Sequence, residues 1–312
     1  MATDEAIESG STRALVGDFI ALTKPRVMSL LLVSAATGAF LGAGSTPTIT
    51  VLIAVLAGGA LASGGAASLN MAYESELDQR MGRTRNRPVA EGRISVRNAM
   101  LFGIALNVAA FTVLALLTNV LAATLALAGT ALYFGLYTVI LKRTTTQNIV
   151  VGGAAGAVPP LVGYAAAAGT VDLAAWYLFV IIFFWTPPHF WALAIMIKDD
   201  YARAGIPMLP VVRGVRHTAT QILLYTAVLF ALTVLFGVVA ETLGWTYMIG
   251  AVALNSVLLW YAYRLVREPD RPAATRLYKY SLLYLALRLV LVMVDSVIGP
   301  TAHLHGLAPD FH

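Results

Sequence analysis

Residues 70–88 read NMAYESELDQRMGRTRNRP and combine three acidic residues with four arginines. The chain around this stretch is strongly apolar, with 59% hydrophobic residues, 12% charged residues and a mean hydropathy of +0.77. Soluble domains carry about 25% charged residues. The composition therefore excludes an ordinary soluble protein. It predicts a membrane protein with a concentrated polar region.

Nine apolar runs of roughly 20 residues divide the sequence, and that is the length a helix needs to cross a hydrocarbon core of about 30 Å. We therefore predict an all-α integral membrane protein, a bundle of nine transmembrane helices. The chain has no cysteine, so thiolate ligation of a metal or a haem is excluded. The runs are 27–45, 49–69, 99–117, 120–141, 149–168, 173–197, 218–240, 244–263 and 280–298.

The distribution of basic residues predicts the orientation. With a cytoplasmic amino terminus, 20 of the 21 lysines and arginines fall in cytoplasmic segments, and Arg288 lies in the last span. Residues 1–26 have neither a secretory nor a transit pattern, and we expect them to be a cytoplasmic segment. Residues 27–299 are predicted to form one transmembrane domain in the inner cell membrane. Residues 300–312 would be an extracytoplasmic tail.

Asn70, Glu74 and Asp78 are spaced four apart at the cytoplasmic end of the second run. On a helix each step rotates the side chain by only about 40°, so the three share one face over about 12 Å. Two carboxylates and an amide oxygen suit Mg²⁺ that keeps some waters and takes its other ligands from phosphates. We refer to these three residues as the acidic stripe.

Basic residues on the same predicted side would bind the oxygens of a diphosphate. An alternative is that these residues only set topology and touch anionic headgroups. The acidic stripe favours the first interpretation, because topology does not require acids on one helical face. The candidate cations are Arg80, Arg83, Arg87, Lys142, Arg143, Lys198 and Arg203.

Polar residues elsewhere leave alternatives open. Asp199 and Asp200 are adjacent and point about 100° apart, so one could reach a second Mg²⁺ while the other pairs with Arg203. His189, inside an apolar span, is either a neutral histidine bonded to a carbonyl or a ligand or proton acceptor. Arg288 and Asp295, seven apart, predict a buried ion pair with a structural role.

Four stretches resemble one known family. They are LTKPRV at 22–27, the acidic stripe with RTRNRP at 83–88, residues 137–166, and WTPPHFWALAIMIKDDYARAGIPMLPV at 185–211. The chain is similar here to the protoheme IX farnesyltransferases of the UbiA prenyltransferase superfamily, over most of residues 20–300. The resemblance implies a UbiA-type helical bundle. It also implies that a farnesyl group passes from farnesyl diphosphate to a vinyl group of haem b, with addition of water, to give haem O for terminal oxidases.

The resemblance also implies roles for individual residues. Glu74 and Asp78 would hold Mg²⁺ with Asn70, while Arg83, Arg87, Lys142, Arg143 and Lys198 would stabilise the leaving diphosphate. His189 is our candidate for positioning haem. The superfamily has a second acidic motif, but Ile197 and Tyr201 stand at its two acidic positions here, and Asp199 and Asp200 lie in a different register. This departure argues against a two-metal site.

The expected partners are therefore farnesyl diphosphate, haem b as substrate, the lipid bilayer and a downstream haem A synthase, with no nucleic acid. A quinone-type aromatic prenyltransferase is the main alternative, and the segment WTPPHFW argues against it. A transporter would place its charges near the membrane midplane within inverted repeats. Here the charges gather at one face, so a transporter is less favoured.

Overall fold

The computed structural model describes residues 14–240 and 242–298, and this part of the chain contains helices and connections but no strand. Most of the helices are long and separated by short turns, so the polypeptide crosses back and forth as a bundle. The helices are α1 (residues 14–22), α2 (Pro25–Ala43), α3 (Ile49–Tyr73), α4 (Ser75–Gln79), α5 (Val96–Leu117), α6 (Val120–Thr130), a π-helix (Ala131–Leu141), α7 (Lys142–Thr144), α8 (Asn148–Ala157), α9 (Pro159–Ala168), α10 (Leu173–Met196), α11 (Lys198–Arg203), α12 (Leu209–Val212), α13 (Gly214–Val239), α14 (Trp245–Arg267) and α15 (Arg271–Ile298).

Eight helical stretches in the described part are long and apolar enough to cross a membrane. Two of them join neighbouring elements: α6 continues into the π-helix, and α8 continues into α9. The apolar part of α2, Met28–Ala43, is shorter than the others. The predicted all-helical, multi-pass membrane protein is confirmed, whereas nine spans and a cytoplasmic amino terminus stay predictions.

Small residues let α2 and α9 approach each other closely. A Cβ added to Gly163 would lie 1.8 Å from the carbonyl oxygen of Ala35, and one added to Gly38 would lie 2.0 Å from that of Pro160. In lipid, helices associate through such close packing because no hydrophobic effect drives them together. This contact fixes the position of α2, and therefore also the position of the residues just before it.

The two proline pairs have different structural consequences. Pro159 and Pro160 begin α9 after a break at Val158, where their missing N–H groups are tolerated. Pro187 and Pro188 instead lie inside α10, directly before His189. The first pair therefore contributes to the packing of α9 against α2, and the second lies beside the histidine.

Arg288 and Asp295 are both buried, but they do not form the predicted ion pair. Asp295 accepts hydrogen bonds from the backbone N–H groups of Gly244, at 2.5 Å, and Tyr247, at 3.3 Å, at the start of α14. A carboxylate is favoured there because the first N–H groups of a helix lack partners. Arg288 donates to the phenol oxygens of Tyr284, at 3.1 Å, and Tyr247.

Replacing Gly163 with valine should destabilise the bundle, since the new side chain would overlap the Ala35 carbonyl. Overpacking of this kind costs about 1–3 kcal/mol or more. The measurement is thermal unfolding of the purified protein in detergent. Gly135→Ala is the matched control in another span, because nothing lies within 4 Å of its added Cβ. Equal unfolding temperatures for Gly163→Val and the wild type would contradict the close contact.

Candidate active site

The acidic stripe lies where α3 ends. Glu74 leaves helical geometry, with φ −93° and ψ 8°, and α4 begins at the next residue. The i to i−4 bonds nevertheless continue through the break, from Glu74 N to Asn70 O (3.0 Å) and from Asp78 N to Glu74 O (2.8 Å). Asn70, Glu74 and Asp78 are 2%, 1% and 2% exposed. The chain thus buries three polar side chains in succession on one face.

Each carboxylate of the stripe is neutralised by a cation from a different part of the chain. Lys142, which follows the π-helix, places Nζ 2.5 and 2.6 Å from the two oxygens of Glu74. The Nη1 atom of Arg87 lies 2.9 and 2.7 Å from the two oxygens of Asp78. Buried carboxylates need such partners, because an isolated charge loses its hydration.

Asn70 is held by two residues that the sequence analysis did not select. Its Oδ1 accepts from Lys24 Nζ at 2.9 Å, and its Nδ2 donates to Thr138 Oγ1 at 3.1 Å. Lys24 adopts the left-handed conformation, with φ 52°, just before Pro25. A non-glycine residue there is strained, and such strain clusters at functional sites.

The connection 80–95 folds over the stripe through its own hydrogen bonds. Thr84 Oγ1 donates to the carbonyl oxygen of Asp78 (3.1 Å), and Gln79 Nε2 donates to that of Ala90 (3.0 Å). This fold directs Arg87 inward, whereas Arg83 and Arg85 are exposed. One arginine of the loop is thereby selected as the partner of Asp78.

Two groups on the polar side of the site have shifted pKa values, mainly because they are buried and partly because of the charges around them. Burial, reinforced by the positive charges of Arg87 and Lys142, lowers the pKa of Lys24 to about 7, although Glu74 and Asp78 oppose the shift. Burial also raises the pKa of the Tyr201 phenol, with Arg83 opposing the shift and Glu74 adding to it. Tyr201 on α11 therefore lies within electrostatic reach of the stripe.

The other residues predicted to bind diphosphate form no ion pair with the acidic stripe in the described part of the chain. Arg80 is exposed and lines a cleft of about 160 Å³ with Glu76 and Gly205. Lys198 is half-buried, and Arg203 is exposed. The side chain of Arg143 lies outside the described residues. A role in phosphate binding stays a prediction for all four.

The acids of the second loop do not join the first site. Asp200 pairs with Arg203 one turn along α11, and Asp199 is exposed. No group of three or more histidine or acidic side chains placed to hold a metal occurs within residues 14–240 and 242–298. The donors gathered at the stripe are two carboxylates and one amide oxygen. They fit an Mg²⁺ ion that completes its shell with water and phosphate oxygens.

His189 lies in a separate, aromatic pocket. Its ring stacks on Trp185 (centroids 4.5 Å apart) and on Tyr278 (4.8 Å). Nδ1 lies 2.8 Å from Ser281 Oγ, and that hydroxyl donates to the Tyr278 carbonyl at 2.7 Å. Because the serine hydrogen is used there, Ser281 accepts from Nδ1–H, and the lone pair is on Nε2.

Comparison with known proteins places the chain in a family. Residues 31–286 match the UbiA prenyltransferase family. The chain belongs to that family. This confirms the resemblance found in the sequence.

Several curated relatives are named protoheme IX farnesyltransferase. The relative from Thermus thermophilus is 50% identical over 94% of this chain, and the one from Chloroflexus aurantiacus is 49% identical over 92%. The chain spans about half the length of these two, 48% and 49%. It spans 91% of a Nostoc relative that is 45% identical over 93% of this chain.

Solved structures agree on the fold. A digeranylgeranylglyceryl phosphate synthase superposes with a TM-score of 0.76 at 15% identity, over 91% of this chain and 99% of the other. A UbiA homologue from Archaeoglobus fulgidus bound to GPP and Mg²⁺ gives 0.65 at 17% identity, over 88% and 99%. At these identities the likeness supports the helical architecture alone.

Removing the cation of the Glu74 pair should destabilise the protein. In Lys142→Met the buried carboxylate loses its partner, a change that costs on the order of 3 kcal/mol. A lowered unfolding temperature is expected, and Glu74→Gln in the same background should restore part of it. Lys279→Met, an exposed lysine of α15, is the control. Equal unfolding temperatures for the two lysine variants would show that the ion pair does not stabilise the protein.

Proposed function

We propose that this protein transfers the farnesyl group of farnesyl diphosphate to a vinyl carbon of haem b, giving haem O after addition of water. The observation that carries the proposal is the buried acidic stripe with its ring of cations, in a chain of the UbiA family. The names of relatives at 45–50% identity support haem b as the acceptor. In this role the protein would be a membrane-bound, Mg²⁺-dependent transferase.

Asn70, Glu74 and Asp78 would hold Mg²⁺, which supplies positive charge to the diphosphate oxygens. Arg87 and Lys142 contact the two carboxylates, and Lys24 contacts the amide oxygen of Asn70. All three cations would exchange part of these contacts for contact with phosphate. Arg83 and Lys198 would approach from the polar side. This arrangement stabilises negative charge where it develops on the leaving group.

The reaction breaks the bond between C1 of the farnesyl chain and the diphosphate oxygen, and the leaving group takes the electron pair. A vinyl carbon of haem b bonds to C1, and water adds to the neighbouring carbon as a proton is released. Tyr133 and Tyr137, stacked 5.8 Å apart on the π-helix, carry aromatic faces near the stripe. Such faces would stabilise the allylic cation until the vinyl carbon attacks it.

His189 would position the haem. Its Nε2 lone pair makes no hydrogen bond to the described residues, and Trp185 and Tyr278 flank the ring. A neutral imidazole whose other nitrogen is held by a hydroxyl is a typical iron ligand. We also propose that the site faces the cytoplasmic side of the inner membrane and that haem O passes to a haem A synthase.

Two substitutions test the site chemistry. Asp78→Asn and Arg87→Ala should each lower kcat by at least about a hundredfold, since each removes charge from the leaving-group site. The assay supplies membranes with Mg²⁺, farnesyl diphosphate and haem b, and detects farnesylated haem by mass spectrometry. Arg85→Ala, an exposed arginine of the same loop, should leave turnover unchanged. Full activity in either site variant would remove that residue from the mechanism.

The same assay tests the acceptor. Wild-type membranes that farnesylate 4-hydroxybenzoate but not haem b would move the protein to the quinone branch of the family. Farnesyl transfer that proceeds unchanged in EDTA would overturn the proposed role of Mg²⁺.

The lowered pKa of Lys24 predicts a pH dependence of farnesyl diphosphate binding. Below pH 7 the amine is charged and attracts the diphosphate, and above pH 7 the free protein increasingly holds it neutral. The KM for farnesyl diphosphate should therefore rise between about pH 7 and pH 9. Lys24→Arg keeps its charge throughout and should flatten the profile. A wild-type KM that stays constant over this range would contradict the role of Lys24.

A further inference from the structure

Arg288 is a buried cation without a counter-ion. It lies in the middle of α15 and is 0% exposed. In the part of the chain that the structure describes, no carboxylate forms an ion pair with it. Its Nε atom has no hydrogen-bond partner. A charged side chain inside a membrane bundle is costly and marks a functional site unless it is neutralised.

The two tyrosines beside Arg288 do not supply the missing charge. Tyr247 donates its hydroxyl hydrogen to the Thr233 carbonyl (3.0 Å), and Tyr284 donates to Asn255 Oδ1 (2.9 Å). Both phenols are thus neutral and offer Arg288 only lone pairs and ring faces, with ring centroids 5.2 and 5.8 Å from the guanidinium carbon. The guanidinium is oriented by these contacts, and its charge is left uncompensated.

The position of Arg288 on α15 relates it to the aromatic pocket. Ser281, which fixes the His189 ring, and Arg288 are seven residues apart on the buried face of α15. Seven residues correspond to two turns and about 10 Å along the helix. From Arg288 the direction toward Ser281 continues to the start of α15, where Ala273 and Ala274 belong to the same buried cluster as Leu77 beside the acidic stripe.

We propose that Arg288 binds a propionate carboxylate of the haem acceptor, an inference that rests on the proposed function. The propionates are the anionic groups of haem b, and they lie on the porphyrin edge opposite the two vinyl groups. With iron near His189 and a propionate at Arg288, the vinyl edge points toward the acidic stripe, where the farnesyl C1 is released. Arg288 therefore orients the acceptor. The carboxylate would accept from Nε, the donor that no protein group uses.

The test compares haem b with its dimethyl ester, whose propionates carry no charge. With the wild-type protein, farnesyl diphosphate and Mg²⁺, the KM for the ester should exceed that for haem b by about 10- to 100-fold, as expected for loss of a charge-assisted hydrogen bond. Arg288→Gln should raise the KM for haem b to the value of the ester and leave the KM for the ester unchanged. Arg288→Lys should keep part of the discrimination.

Arg276→Gln, an exposed arginine of the same helix, is the matched control and should discriminate like the wild type. A purely structural role for Arg288 would change stability or kcat for both acceptors alike and would not change their ratio. Equal KM values of the wild type for haem b and its ester would overturn the inference, even if Arg288→Gln does not fold. If the wild type converts neither acceptor, the proposed function itself has failed.

Discussion

The structure depends on keeping two carboxylates buried at the edge of the membrane. The side chains of Glu74 and Asp78 can be buried because Lys142 and Arg87 lie within hydrogen-bond distance of their oxygens. These cations come from the end of the π-helix and from the loop after α4, so neutralising the acids also joins distant segments. The cluster thus joins one long connection with α3, α4, the start of α2, and the π-helix with the short α7 that follows it. The same need for neutralisation that stabilises the fold gathers the groups that a diphosphate requires.

The acidic stripe and the surroundings of His189 differ in their chemistry. The acidic stripe combines acids, cations and an amide at the polar face, and each of its two carboxylates pairs with a cation. The pocket of His189 is aromatic, with one hydroxyl to fix the ring. α10 carries the histidine and ends near the polar face, and α15 carries its serine partner. The two regions therefore offer different chemistry, charged groups at one and aromatic ring faces at the other.

Some of this site was predictable from the sequence because it depends on local geometry. The four-residue spacing of Asn70, Glu74 and Asp78 specifies one helical face, and burial on that face follows from the adjacent span. Which cation pairs with which acid was not predictable. Arg83, Arg85 and Arg87 are equivalent as sequence, and only the tertiary fold of their loop turns Arg87 inward. Lys24 was missed because its position depends on a left-handed residue before a proline, a feature that periodicity does not reveal. The predicted pair Arg288–Asp295 was wrong for a similar reason, since the carboxylate accepts from the backbone N–H of Gly244, 51 residues earlier in the chain, just before α14 begins.

The π-helix between Ala131 and Leu141 has a consequence for the length of its span. Each π-turn contains more residues than an α-turn, and Thr138 Oγ1 bonds to the carbonyl of Tyr133, five residues back. Loss of one residue in this segment would rotate everything after it by about 100°. Lys142 would then turn away from Glu74, although every hydrophobic residue of the span could be retained. We therefore expect selection to preserve the number of residues in this helix more strictly than their identity. Insertions or deletions between residues 131 and 141 should be rarer than exchanges of one apolar residue for another.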